Sequence, residues 1–138
     1  MWHYVKVFLF LPPVLFILDY IWLGVFASGM YKKELGSFLR MSGTNLQPIV
    51  WAALVVYIAI PLGIVLFVLP RISPENFVGS AILWGALYGI VVYTVYDMTN
   101  YCLLRDWPIR IALIDIAWGA FLNAIGALIA GFLDRWLQ

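Results

Sequence analysis

Three aspartates stand inside apolar stretches of the 138-residue sequence, at Asp19, Asp97 and Asp115. A membrane span tolerates a carboxylate only where the group is paired, hydrated or functional. Asp97 belongs to the polar segment Tyr96–Pro108, which separates two long apolar runs and also carries Asn100. The sequence therefore predicts that its chemistry lies at these acids.

The acids predict a ligand site only if they converge, because mutual repulsion and desolvation then favour a shared proton or a bound cation. Two alternatives stay open: Arg105 or Arg110 neutralises the acids, or the acids are buried hydrogen-bond clamps that hold helices one, three and four together. The candidate residues for binding a ligand or a proton lie in the polar segment or within about one helical turn of an aspartate. They are Asp19, Asp97, Asp115, Asn100, Tyr96, Tyr93, Trp22, Trp118 and Arg105.

The pattern Asp-x-x-Trp occurs twice, at Asp19–Trp22 and at Asp115–Trp118. Residues three apart share a helix face, so each indole is expected beside its aspartate. Two interpretations of the tryptophans stay open: they are packing residues, which is the commoner role, or they wall a single pocket.

The composition is that of a membrane protein, with 65% hydrophobic and 11% charged residues. Soluble domains are about half apolar and about one-quarter charged, so lipid must be the solvent for much of this chain. A net charge of +1 argues against a nucleic-acid partner. With one cysteine and one histidine, the chain predicts neither a disulfide framework nor a Cys/His metal site. No metal site is predicted, and the cofactor is left open.

Four apolar runs are long enough to span a bilayer, which takes about 20 residues. These predicted helices are Tyr4–Ala27, Pro48–Leu69, Phe77–Leu104 and Pro108–Leu133, in one all-α transmembrane domain over residues 1–138. Pro12 and Pro13 are expected to kink or interrupt the first helix. The linker 29–47 has apolar residues at helical spacing, which fits either a short amphipathic helix in the membrane interface or a solvated loop.

The four spans predict both termini on one side of the membrane. The loops after helices one and three carry five basic residues and the opposite side three: Lys32, Lys33, Arg40, Arg105 and Arg110 against Lys6, Arg71 and Arg135. The positive-inside rule then predicts external termini and cytoplasmic loops at 29–47 and 105–107.

Alternating helix direction places the three aspartates at similar depth in one leaflet. At 1.5 Å per residue, Asp19 lies about 12 Å from the linker side, and Asp97 and Asp115 lie about 10 Å from it. Three carboxylates at one depth are not expected to face lipid. The sequence therefore predicts that they meet inside the bundle.

The segment Tyr96–Asn100, followed by Trp107–Pro108 and Asp115–Gly119, resembles the domain-of-unknown-function family 2177. The first span carries the similar Asp-x-x-Trp-Leu-Gly pattern of that family at Asp19–Gly24. Met98 stands where an aliphatic residue is common. The resemblance covers essentially the whole chain and implies a four-helix protein of the bacterial inner membrane, without implying a reaction.

The function that the sequence favours is the binding or transport of a proton, a cation or a small polar solute. Four helices leave little room for an internal pathway, so this function predicts a homo-oligomer. Small residues on helices three and four, including the GxxxG match Gly85–Gly89, are the predicted contact. Membrane lipid is the other expected partner.

Two alternative functions stay open. A membrane-embedded enzyme acting on lipids would use Asp97 or Asp115 as general acid or base, with Asn100 and Arg105 orienting the substrate. An all-aspartate site in such an enzyme would favour Mg²⁺ or no metal. An accessory or assembly subunit would use the acids only as helix clamps.

Overall fold

The structure is a computed structural model, and it describes residues 2–137. Its helices are α1 Trp2–Asp19, α2 Ser28–Leu35, α3 Val50–Gly63, α4 Phe77–Leu103 and α5 Ile109–Leu137, and β1 Met41–Ser42 pairs with β2 Asn45–Leu46 in an antiparallel hairpin. α1 continues as a π-helix, Tyr20–Phe26, and α3 continues through a π-helix, Ile64–Val68, into a 3₁₀ turn, Leu69–Arg71.

Four helical segments are long and apolar enough to cross a membrane, which confirms the predicted architecture. They are Trp2–Phe26, Val50–Arg71, Phe77–Leu103 and Ile109–Leu137. The third agrees with its prediction to within one residue because polar residues and proline stand on both sides of it, at Pro74–Asn76 and at Arg105–Pro108. The α-helix of the first span continues through Pro12 and Pro13 and changes to a π-helix only after Asp19.

The linker between the first two spans forms a helix and a small hairpin. Leu35 on α2 is buried against Trp107 and Ile111, so α2 packs on the start of α5. The predicted linker helix is therefore present, and burial of its apolar side holds it there. The hairpin follows it and turns at Gly43, whose φ of +59° is a conformation that glycine adopts readily.

The closest helix pair is α4 and α5, which run side by side with small residues between them. A Cβ added at Gly85 would meet Asn123 and Ala127, and one added at Gly89 would meet the backbone of Gly119. Small residues let two helix backbones approach in this way. The GxxxG face of α4 is thus occupied by α5 of the same chain, so it does not offer a contact to a second copy.

The remaining spans pack against this pair mainly through the half of the bundle that is distant from the linker. Leu11 of α1, Ile64 of the second span and Leu122 of α5 are fully buried there. The segment Ile64–Val68 packs on both α4 and α5, whereas α3 itself packs mainly on α1. At the linker end, α3 therefore stands apart from α4.

Candidate ligand site at the linker end of the bundle

Asp97 is the most completely buried acid among residues 2–137, with 0% of its surface exposed. Neither of its carboxylate oxygens has a hydrogen-bond partner of acceptable geometry in this part of the chain. The polar groups beside it are the carboxyl group of Asp115 and the indole of Trp107. A buried carboxylate in such surroundings is costly unless a proton or a cation accompanies it.

The turn between α4 and α5 brings Asp97 and Asp115 together. It reverses the chain within a few residues, and Asp106 adopts a left-handed backbone conformation with φ of 63°. Aspartate is among the residues that tolerate this region because its short side chain bonds locally. Trp107 follows and turns inward, where it is 8% exposed and packs 5.3 Å from Phe38 between ring centroids.

Asp115 has one strong partner, which comes from the linker helix. The Tyr31 hydroxyl donates a hydrogen bond of 2.6 Å to Asp115 Oδ1. Burial, followed by the nearby Asp115 carboxylate, raises the pKa of the Tyr31 phenol above its ordinary value. Tyr31 therefore stays protonated and keeps donating, and the Asp97 carboxyl group lies beside Asp115 as its second polar neighbour.

Asp97 and Asp115 face a cavity of about 270 Å³, which we call the linker-side cavity. Three aromatic side chains, those of Tyr31, Tyr96 and Trp107, lie around the two acids. The rest of the wall is mostly aliphatic, from the end of the first span, α2, the hairpin and α5. The site thus combines two carboxylates with aromatic and apolar surfaces.

Asp19 lies on the other side of Asp115 and is fully hydrogen-bonded. Its Oδ1 accepts a bond of 2.8 Å from the Trp118 indole, and its Oδ2 accepts one of 3.1 Å from the Tyr57 hydroxyl. The Trp118 ring stacks on Trp22 with centroids 4.7 Å apart and planes at 9°. Asp19 consequently joins the first span to α3 and α5 as a clamp.

A second cavity of about 500 Å³ lies between α1, α3, α4 and α5, and we call it the lateral cavity. Asp19, Tyr57, Tyr93 and Trp118 form its polar side, and most of the remaining wall consists of aliphatic residues of α3 and α4. Asp115 and Tyr96 line both cavities. The two spaces are therefore neighbours that meet at these residues.

The family comparison agrees with the motifs around these acids. Residues 4–132 match the family model described as "Predicted membrane protein (DUF2177)". The chain belongs to the DUF2177 family. Its description gives a membrane protein and no activity. Comparisons with curated proteins and with solved structures found no match.

Within this DUF2177 chain, three predicted site residues stand outside both cavities. Asn100 interacts with Tyr96, and Trp22 lies behind Trp118. Arg105 is exposed in the turn after α4 and lines neither cavity. The other six candidates line one cavity or both, and they are Asp19, Tyr93, Tyr96, Asp97, Asp115 and Trp118.

The proposed neutralisation by arginine has no counterpart in the described part of the chain. Arg110 pairs instead with Glu34 of α2, at 3.2 Å. No ion pair joins Arg105 to any of the three aspartates within residues 2–137. In the same residues, no group of three or more His, Cys, Asp or Glu side chains has a metal-binding arrangement.

Sequence reasoning missed three residues that contact the acids. Tyr57 is the sole ionisable side chain of the predicted span Pro48–Leu69, yet it donates to Asp19. Tyr31 lies in the linker 29–47 and Trp107 in the family motif, and neither position predicts a contact with an acid. The positions of Tyr31 and Asp115 are 84 residues apart, and no local pattern signals such a contact.

Proposed function

We propose that the Asp97–Asp115 pair binds a cation, in exchange for a proton, from the linker side of the membrane. The observation that carries this proposal is Asp97 itself, which is fully buried, faces the linker-side cavity and makes no hydrogen bond of acceptable geometry within residues 2–137. Asp115 beside it adds a second acid. A proton or a cation between the two carboxyl groups relieves both the desolvation and the repulsion.

The positions of the two cavities support binding of a cation from the linker side. They do not by themselves support its passage across the membrane through a single chain. Both cavities lie toward the linker end, and the opposite half of the bundle is filled by apolar residues such as Leu11, Ile64 and Leu122. Transport therefore requires a rearrangement or an oligomer. A homo-oligomer would need a surface other than Gly85–Gly89, because that face packs against α5.

The predicted orientation in the membrane sets the side from which the cation comes. In a bacterial inner membrane with the linker on the cytoplasmic side and the termini outside, as the basic residues predict, the site would draw its cation from the cytoplasm.

The test is a titration of the purified full chain in a non-ionic detergent with sodium, magnesium and tetramethylammonium chlorides, followed by calorimetry. Repeating it in buffers of different ionisation enthalpy counts the protons released. We expect saturable binding of at least one cation with proton release. In Asp97→Asn the affinity should fall at least about 100-fold, because the two acids act on one ion.

The matched control is Asp134→Asn, the same change on α5 at the opposite end of the bundle, where the acid pairs with His3 at 3.2 Å. It should bind like the unmutated protein. Absence of saturable binding for every cation tested, or equal loss in Asp134→Asn, overturns the proposal. In proteoliposomes, a cation gradient that moves protons only with Asp97 and Asp115 intact would extend binding to transport.

A second candidate is an enzyme acting on lipids, and the lateral cavity supports it because Asp115 lines this cavity together with the exposed Val56 and Tyr96. Asp115 would then serve as general acid or base. Mass spectrometry of membrane lipids after deletion and overexpression of the gene tests it. An unchanged lipid composition counts against this function.

A further inference from the structure

We infer that the cation is the ammonium head group of a membrane-dissolved amphiphile, held between Asp97 and Asp115, with its alkyl chain in the lateral cavity. This inference rests on the proposed cation binding and adds the chemical class of the cation. Three features carry it: the walls around the acids, the junction between the cavities and the opening of the lateral cavity toward lipid.

The walls of the linker-side cavity fit an organic cation better than a metal ion. Mg²⁺ requires near-octahedral oxygen coordination, and Ca²⁺ takes six to eight oxygen ligands. Besides the two carboxyl groups, the side-chain oxygens around this cavity are the hydroxyls of Ser28, Tyr31 and Tyr96, and the Tyr31 proton is committed to Asp115. Aromatic side chains attract alkylated ammonium groups through their ring faces, and the two acids supply the opposite charge.

The two cavities share wall residues, so an alkyl chain extends from one cavity into the other without leaving the protein. Asp115, Leu23 and Tyr96 belong to the walls of both cavities. A head group at Asp115 is therefore next to the lateral cavity, whose far wall includes Ala53 and Ile60 of α3. The other acid there, Asp19, has both oxygens bonded and does not compete for the head group.

The lateral cavity opens on the bilayer-facing surface. Val56 of α3 and Tyr96 of α4 are 48% and 57% exposed, and both line it. α3 packs mainly on α1, and the second span reaches α4 chiefly further along, at Ile64–Val68. Both helices lie within membrane-spanning segments, so an alkyl chain enters between them directly from lipid.

The experiment compares ammonium ions that differ only in chain length. Tetramethylammonium, hexyltrimethylammonium and decyltrimethylammonium are titrated against the full chain in lipid nanodiscs, with sodium and magnesium as competitors. For the unmutated protein we expect affinity to rise at least about tenfold from tetramethylammonium to hexyltrimethylammonium, since each buried methylene favours binding. Asp97→Asn should weaken all three.

Ala53→Phe is designed to fill the lateral cavity, and Val92→Phe fills it from α4. Either variant should lose at least about tenfold in affinity for the two long ions while binding tetramethylammonium normally. The control is Val55→Phe, at a position that is 56% exposed and outside both cavities. Partition into the nanodisc is common to all variants, so the difference between them reports the cavity.

The outcomes separate this inference from the proposed function. Asp97-dependent binding of tetramethylammonium with no gain from chain length, or with equal losses in Val55→Phe, overturns the amphiphile and leaves cation binding intact. Asp97-dependent binding of sodium or magnesium that ammonium ions do not displace has the same result. Failure of every cation to bind overturns both.

Discussion

Asp19 and Asp97 lie on opposite sides of Asp115, and their buried carboxylates differ in hydrogen bonding. On one side, Asp19 accepts hydrogen bonds from Trp118 and Tyr57, one for each oxygen. On the other side, Asp97 is more deeply buried, faces a cavity and makes no hydrogen bond of acceptable geometry among residues 2–137, although the Trp107 indole lies beside it. Two acids of one type at one predicted depth therefore differ in how far the surrounding side chains compensate their charge.

At the end of the bundle opposite the linker, an acidic side chain has a partner within the protein. Asp134 pairs with His3 at 3.2 Å, and the neighbouring Arg135 lies over the Phe77 ring at 3.8 Å from its centroid. Structural acids in this protein thus have protein partners. Asp97 departs from that pattern, and a buried polar group without a satisfied hydrogen bond is rare enough to call for a specific explanation.

The comparison is tested most severely by removing the clamp. In Asp19→Leu the Trp118 indole and the Tyr57 hydroxyl lose their acceptor inside the bundle, and three spans lose a common link. We expect the free energy of unfolding to fall by roughly 3 kcal/mol, since buried polar groups are left unpaired. Reversible unfolding in mixed detergent and dodecyl sulfate micelles measures it. A loss below about 1 kcal/mol would contradict the clamp.

The same measurement on Asp97→Asn should give the opposite sign. An amide replaces an uncompensated carboxylate of nearly the same shape, so we expect the free energy of unfolding to rise by about 1 kcal/mol without ligand. Asp134→Asn, which loses its pairing with His3, is the control and should not be stabilised. If Asp97→Asn destabilises as much as Asp19→Leu, then Asp97 is a second clamp and the site has no basis.

The contrast between the two acids also shows what the sequence can and cannot predict. The spans were predictable because each contains an apolar run of membrane-spanning length, and charged residues and prolines mark the ends, as Arg105, Asp106 and Pro108 do after Phe77–Leu103. The acids were predictable because a charge inside such a run is rare. Their partners were not, since Tyr31 reaches Asp115 only because α2 folds back onto α5.

Two further features had no usable local signal. The hairpin Met41–Ser42 with Asn45–Leu46 consists of two-residue strands, which are too short to show the alternation typical of a strand. Arg105 was expected at the site because it is close to Asp97 in sequence. The chain instead turns between α4 and α5 there, and Arg105 stays exposed.

A smaller change in the free energy of unfolding is expected when Tyr31, the hydrogen-bond donor to Asp115, is altered. Tyr31→Phe removes one hydrogen bond to Asp115, which should lower the free energy of unfolding by about 1 kcal/mol. Because burial raises the pKa of the Tyr31 phenol, its contribution is fully present below the ordinary phenol value of about 10 and declines as the pH rises above it. Unfolding of both proteins across that range checks the sign: the difference between them should shrink at high pH.

The smallest effect should come from the ion pair that borders the same region from outside. Arg110 and Glu34 join α5 to α2 at 3.2 Å, with side chains 71% and 22% exposed. Exposed pairs of this kind contribute about 0–1 kcal/mol, so Arg110→Ala should change the free energy of unfolding by less than about 0.5 kcal/mol.

Trp107→Ala, which removes the buried contact with Leu35, should release α2 and expose the linker to protease. If Arg110→Ala releases it equally, charge and not apolar burial holds α2 over the acids, and the linker-side cavity would open and close with salt concentration.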